Sequence, residues 1–94
     1  MPSISSMDGT ALFYDEAGSG DAVLFIHEFA GNHRTWSAQL AALGQTHRCV
    51  AYAARGYPPS DVPESDGAYG QDISVADAIA VLDALNIERA HIVG

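Results

Sequence analysis

The chain contains no lysine. Its four basic residues are all arginine, set against twelve acidic ones, and the formal net charge is −8. A chain this acidic and without a basic stripe is a poor partner for nucleic acid or for an anionic membrane. The acidic residues are scattered and form no block, which describes a solvated surface and not an acidic tail. It fits small neutral substrates better than polyanions. Cysteine is nearly absent: Cys49 alone excludes an internal disulfide. Cys49 sits in an apolar strand pattern with no basic group poised to lower its pKa, so it reads as a small buried hydrophobe and not as a nucleophile. No apolar run approaches the ~18 residues that a membrane-spanning helix needs. The first residues, Met1 to Ser6, carry neither a basic n-region nor an apolar h-region. No signal peptide and a cytoplasmic protein are therefore expected. No repeat or low-complexity segment is present. The histidines His33, His47 and His91 have no metal-ligand spacing with one another or with a carboxylate, so no metal site is expected. Gly18-x-Gly20 precedes a strand instead of following one, which excludes a dinucleotide fingerprint. No cofactor is expected.

What is present is a globular composition, 48% hydrophobic over 94 residues. The chain is organised around the stretch from Ala22 to Gly31. Ala22-Val23-Leu24-Phe25-Ile26 is a continuous apolar run, the pattern of a strand buried on both faces in a parallel sheet. It stops at His27-Glu28, turns through Ala30-Gly31, and gives way to a helix signal at Asn32. A buried strand feeding a tight loop that opens a helix is where open α/β folds place their chemistry.

Upstream, Ser3 to Glu16 reads as two short strands around Asp8-Gly9, a strong hairpin dipeptide. Downstream, Asn32, or alternatively Thr35, is a good N-cap. Trp36, Leu40 and Leu43 then form one helical face, making Trp36 a core residue, and Gly44 is a natural C′ residue. Arg48 to Ala53 is the next strand. Pro58-Pro59 excludes helix and central strand from the segment that follows, and Val62 to Gly70 is loop. A second helix starts at about Asp72 or Ser74 and runs to Leu85. Val75, Ile79 and Leu82 form its stripe, with Ala78, Val81 and Leu85 beside it and Asp77 and Asp83 off it. Ser74 and Asp77 stand at capping-box spacing. Asn86 ends the helix, and Ala90 to Val93 is a final strand. The order β-β-β-α-β-α-β means an α/β fold: an antiparallel hairpin (residues 1–21, with its loop), then a βαβαβ core (residues 22–94) with a parallel sheet and helices on both faces.

Two motifs carry a family resemblance. His27-Glu28-Phe29-Ala30-Gly31 resembles the HGxxG-type oxyanion loop of the α/β-hydrolase superfamily. His91-Ile92-Val93-Gly94 resembles the strand leading into that family's G-x-S-x-G nucleophile elbow, with Gly94 as its first glycine. Arg55-Gly56 followed by Ser60-Asp61 partly matches the family's D-x-R-G-x-G-x-S-D loop, with Ala53 in place of Asp and Pro58-Pro59 in place of small residues. The resemblance covers nearly all of the chain from Met7 onward. It is nearest the cofactor-free group of esterases, enol-lactonases, carbon–carbon bond hydrolases and haloperoxidase-like enzymes. It implies that the strand Ala22–Ile26 lies between the two other parallel strands. That arrangement puts the helices on opposite faces and the loop after the strand beside the end of Ala90–Val93.

The resemblance also implies roles. Phe29 would supply a backbone N–H to an oxyanion, and Phe29 and Ala30 would line the substrate pocket. His27, Gly31 and Arg55 would support the loop, His27 as a structural brace and not a base. Glu28 stands where the family usually has glycine. Its side chain has three placements open to it: into the pocket, where it would bind or polarise substrate or water, paired with Arg34 or Arg55, or out to solvent. A carboxylate beside a forming oxyanion opposes it, so the side chain should point away or be neutralised. Epoxide hydrolases and dehalogenases tend to carry proline in this loop, and Ala30 argues against them. Ser60-Asp61 reads as turn chemistry, since no base accompanies it. The nucleophile would fall two residues beyond Gly94, so none of the catalytic triad is expected here, and a full domain needs roughly 250 residues. The expected chain is the N-terminal portion of a single hydrolase domain acting on a small ester or lactone, completed by a C-terminal portion or a companion chain. The alternative is a non-catalytic subunit that binds a partner, or one piece of a nicked enzyme.

Overall fold

A computed structural model describes residues 2–27, 31 and 33–94, with His33 described by its backbone alone. Among the described residues five strands form one mixed sheet: β1 (Ser3–Ser5), β2 (Ala11–Ala17), β3 (Ala22–Ile26), β4 (Arg48–Tyr52) and β5 (Ala90–Val93). Their spatial order is β1-β2-β4-β3-β5. β1 and β2 pair antiparallel, as do β2 and β4, whereas β3 runs parallel to both β4 and β5. The all-apolar run is thus the strand between the other two parallel strands, as the family resemblance implies.

The two α-helices among the described residues cover opposite faces. Val23 and Phe25 point to one side with Cys49 and Ala51, where they meet Leu40 of α1 (Ser37–Leu43) and Trp36. Ala22 and Leu24 point to the other side with Val50 and Tyr52, against Val81 of α2 (Gln71–Ala84). Cys49 is fully buried, as a small hydrophobe should be. Trp36 stacks on Phe25 with ring centroids 5.2 Å apart. The hairpin forms at Asp8-Gly9, with Gly9 at φ +87°.

Several local expectations are corrected. α1 is entered through a 3₁₀ turn, His33–Trp36, and its N-cap position is Trp36, with no side-chain cap. Asn32 lies outside the described residues. Leu43 is on the exposed side of α1. Gly44 is not left-handed, since its φ is −61°. It is small for a different reason: a Cβ there would lie 2.5 Å from the Leu40 carbonyl oxygen and 3.0 Å from the Ala17 Cβ.

α2 starts at Gln71, earlier than Asp72 or Ser74, and packs through only part of the expected face: Ala78, Leu82 and Leu85 sit against the core beside Val81. Val75 and Ile79 are exposed, while Asp77 and Val81 are buried. Residues Ile73, Val75, Ala76, Ala78, Ile79, Ala80, Val81 and Leu82 put apolar side chains all round this helix, so periodicity does not select the buried face. The capping-box expectation also fails. The N-cap is Gly70, the Ser74 N–H donates to the Gly70 carbonyl at 2.9 Å, and Asp77 is paired elsewhere. The helix ends at Asn86 as expected, in the left-handed region at φ 58°.

Candidate functional site

The parallel strands all end at one edge of the sheet, and open α/β folds bind ligands outside those carboxyl ends, where the chain direction switches. β3 ends at Ile26 and passes into His27. β5 lies beside it in register, Phe25 opposite Val93. A Cβ built on Gly94 would lie 3.7 Å from the Ile26 carbonyl oxygen and 3.8 Å from its Cβ. The start of the His27 loop and the end of the last strand are therefore neighbours in space, 67 residues apart in sequence.

His27 is buried, and its Nε2 accepts the Ala54 N–H at 3.0 Å. An accepting Nε2 carries no proton, which places the proton on Nδ1 of a neutral ring. The Tyr57 ring meets the imidazole edge-on, with centroids 4.6 Å apart and planes at 69°. Ala54 and Tyr57 belong to one turn, closed by the Tyr57 N–H donating to the Ala54 carbonyl at 3.0 Å.

Between them stands Arg55, buried, with every N–H committed. Nε and Nη2 donate to the two oxygens of Asp77 at 2.7 and 2.8 Å. Nη1 and Nη2 donate to the two oxygens of Asp8 at 2.8 and 3.2 Å. Nη1 also reaches the Ala68 carbonyl at 2.9 Å, and Nη2 the Ser6 hydroxyl at 3.3 Å. Two bidentate carboxylates on one planar guanidinium use a fork geometry that lysine lacks. The pair raises the Arg55 pKa still further, through the Asp77 bond first and the Asp8 bond second. Arg55 in turn holds the Asp8 carboxyl far below the usual carboxylate range, helped by Ser6 and Thr10.

The rest of this segment is fixed to β2. The Ser60 hydroxyl donates to the Ala53 carbonyl at 2.6 Å and accepts the Phe13 N–H at 2.8 Å. The Asp61 carboxylate accepts the Ala11 N–H at 2.9 Å. Both side chains spend their polar groups on backbone, the turn chemistry that the sequence suggests. The peptide bond between Pro58 and Pro59 is cis.

A cavity of about 270 Å³ opens at this edge, lined by Ile26, His27, Tyr52, Tyr57, Tyr69 and Ser74 among others. A larger one, about 550 Å³, lies at the opposite end of the strands beside Gly20, Arg48, Asn86, Arg89 and His91. Its size does not make it the better candidate, because it faces the amino ends of the strands. Among the described residues no group of three or more His, Cys, Asp or Glu is placed to hold a metal ion. No described helix is long and apolar enough to cross a membrane.

Of the residues singled out from sequence, His27 and Arg55 meet through the single residue Ala54. Gly31 is half-buried. Glu28, Phe29 and Ala30 lie outside the described residues. The sequence reading missed Asp8, Asp77 and Tyr57. For Asp77 a signal existed: a lone carboxylate between Ala76 and Ala78 in an apolar helical segment needs a partner if that turn is buried.

A family model described as the alpha/beta hydrolase fold matches residues 21–94. An epoxide hydrolase from Caballeronia sordidicola is 38% identical over 88 residues, covering 93% of this chain and 27% of that protein. A 3-oxoadipate enol-lactonase from Acinetobacter baylyi is 40% identical over 73 residues, covering 78% of this chain and 26% of that protein. Among solved structures, Est816, described as an N-acyl homoserine lactone degrading enzyme, superimposes with a TM-score of 0.91 at 34% identity, covering 99% of this chain and 35% of that one. The chain thus spans about a quarter to a third of the length of the proteins it matches.

Proposed function

The chain belongs to the α/β-hydrolase family, and from that premise we propose that it supplies the oxyanion-loop side of a serine-type hydrolytic site. It is read as the N-terminal portion of one hydrolase domain, acting on a carboxylic ester, a lactone or a related small acyl substrate without a cofactor. The observation that carries this is the juxtaposition of His27, at the carboxyl end of β3, with Gly94, at the end of β5. In this reading the first is the start of an oxyanion loop, and the second is the position from which a nucleophile elbow starts.

Attack of a hydroxyl nucleophile on the substrate carbonyl turns its oxygen into an anion. A backbone N–H already aimed at that position lowers the barrier by ~3–4 kcal/mol. In this reading Phe29 offers that N–H and its ring, with Ala30, lines the pocket. Glu28 stays turned away or neutralised. Arg55 is engaged by Asp77 and Asp8, so its charge is already balanced without Glu28. His27 braces the loop as a neutral ring: its Nε2 is spent on the Ala54 N–H, so that atom is not offered as a base. The nucleophile, the acid and the proton-shuttling histidine come from polypeptide other than these residues, either continuous with them or in a companion chain.

The test begins with the intact mass of the purified protein under denaturing conditions, together with a search for a companion polypeptide. Hydrolysis of short acyl esters and lactones follows. Phe29→Pro, which deletes the N–H, is expected to lower kcat by ~10²–10³, the cost of one oxyanion donor. Phe29→Ala keeps the N–H and should act mainly on KM. A wild-type-like kcat in the proline variant would overturn the role of Phe29. The matched relatives include an epoxide hydrolase, so an epoxide is assayed in parallel. Turnover of the epoxide with none of the esters or lactones would overturn the acyl substrate class.

A further inference from the structure

We infer that Asp77 is a positioning residue for His27 at the carboxyl end of β3, acting through Arg55 on the turn that holds the imidazole. This rests on the hydrolytic reading above. The sequence spacing assigns α2 no part in the site, yet a path runs from it to His27 in three short steps, two through side-chain contacts and one through the backbone between them.

The first step is the buried pair. The Arg55 and Asp77 side chains are each only 5% exposed and meet through two bonds. Removing one partner of such a pair leaves the other charge poorly compensated, so the geometry is held firmly. The second step is covalent and local. Arg55 lies between Ala54 and Gly56 in a turn closed by the bond from the Tyr57 N–H to the Ala54 carbonyl. Gly56 sits there at φ +87°, and a Cβ on it would come within 3.0 Å of the Tyr69 ring. The Gly56 N–H donates to the Asp61 carbonyl at 2.9 Å. The turn is therefore enclosed, and moving Arg55 moves all of it. The third step is the grip on His27. The Ala54 N–H holds Nε2, and the Tyr57 ring packs on the imidazole in a T-shaped contact. Both grips come from one turn, so they shift together.

The hub also explains why two carboxylates serve one arginine. Asp77 anchors the guanidinium to α2, while Asp8, whose side chain is 52% exposed, anchors it to the hairpin turn. The hairpin, the helix and the 53–57 turn are thereby registered against one another at the sheet edge where chemistry is expected. A role limited to folding would make Asp77 matter for stability and leave the bound His27 ring and the rate constants alone. A positioning role makes it matter for the step in which the oxyanion forms.

The experiment compares the intact wild-type protein with Asp77→Asn and Asp8→Asn. Asp8→Asn is the second variant because its half-exposed site tolerates the change if Asp77→Asn does not fold. Circular dichroism confirms the fold. Steady-state kinetics on a short acyl ester are then read beside the ¹⁵N signals of the His27 ring. For Asp77→Asn the expected result is a kcat lowered about tenfold to 100-fold, the size of a sub-ångström to 1 Å misplacement. KM should stay within about twofold, since ground-state binding is untouched. The Nε2 signal should move from that of a fixed acceptor toward a tautomer average. Asp8→Asn should move both readouts the same way by less. Glu16→Gln, which breaks the surface pair with Arg48 away from this edge, should move neither. Wild-type kcat and unshifted His27 signals in both Asp variants overturn the inference while leaving the hydrolytic reading intact. Absence of hydrolysis by the wild-type protein overturns the hydrolytic reading instead. The His27 signals then decide the coupling alone, and unshifted signals in Asp77→Asn overturn it.

Discussion

At the scale of single residues, the site edge is governed by where charge is kept and where it is excluded. Arg55 keeps its charge inside because two carboxylates match it, and Asp8 keeps its own because Arg55 is beside it. Tyr52 does the reverse. It is buried and faces the Asp77 carboxylate, and both effects disfavour the phenolate, burial more than charge, so its pKa is pushed up to about 12. The two groups set opposite limbs of the stability profile. Asp8 is depressed on folding, so its contribution is whole above the unfolded value near 4 and is lost as pH falls below that. Because its side chain is half exposed, that limb is shallow. Tyr52 is raised, so its contribution is whole below about pH 10 and is lost between about 10 and 12, on the order of 2–3 kcal/mol. Urea denaturation across pH 3–12 checks both limbs. Asp8→Asn should flatten the acid limb and Tyr52→Phe the alkaline one. An alkaline limb unchanged in Tyr52→Phe would mean that another group carries it.

At the scale of elements, legibility depended on whether burial follows from local pattern. β3 was legible because five consecutive apolar residues leave one interpretation, and its central place followed from the family resemblance. The end of α2 was legible because Asn86 accepts the left-handed region. The structure there is a full Schellman motif: the Ile87 N–H reaches the Leu82 carbonyl at 2.9 Å, the Asn86 N–H reaches the Asp83 carbonyl at 3.1 Å, and Ile87 is buried. Asn86→Gly should hold or raise stability by removing the Cβ, while Asn86→Ala should cost up to about 1 kcal/mol, because alanine keeps the Cβ and loses the polar side chain that lets asparagine tolerate that region. Thermal melts of the two variants check the difference, and equal losses would argue against the motif. The buried face of α2 was legible only in part: Ala78, Val81, Leu82 and Leu85 pack as expected, but Val75 and Ile79 are exposed and Asp77 is buried. An apolar residue occupies nearly every direction round that helix, and the choice of face is made by Asp77 meeting Arg55, 22 positions away. Of the candidate site, His27 and Arg55 could be picked out from motif spacing, but their link through Ala54 is a tertiary fact that no spacing encodes. Tyr57 had no signal at all, because a ring in a proline-rich loop reads as loop.

At the scale of the molecule, the sheet has a direction, and in the proposed reading that direction decides which end holds the site. All three parallel strands point their carboxyl ends toward His27, Arg55 and Gly94, and their amino ends toward the larger cavity beside Arg89 and His91. Cavity size and sheet polarity thus point to opposite ends. Polarity is the stronger guide, because only at the carboxyl edge do successive loops leave neighbouring strands with backbone N–H groups free to meet a developing charge. The proposed substrate class leads to the same expectation, since a small neutral ester would need no cluster of cations to draw it in. Arg89→Gln with His91→Gln should therefore leave kcat and KM within about twofold of wild type, as substitutions away from the machinery do. The same assay reads a loss of two to three orders of magnitude in Phe29→Pro. A tenfold fall in the double variant with wild-type rates in Phe29→Pro would move the site to the amino end, and with it the meaning of every hydrogen bond that converges on His27.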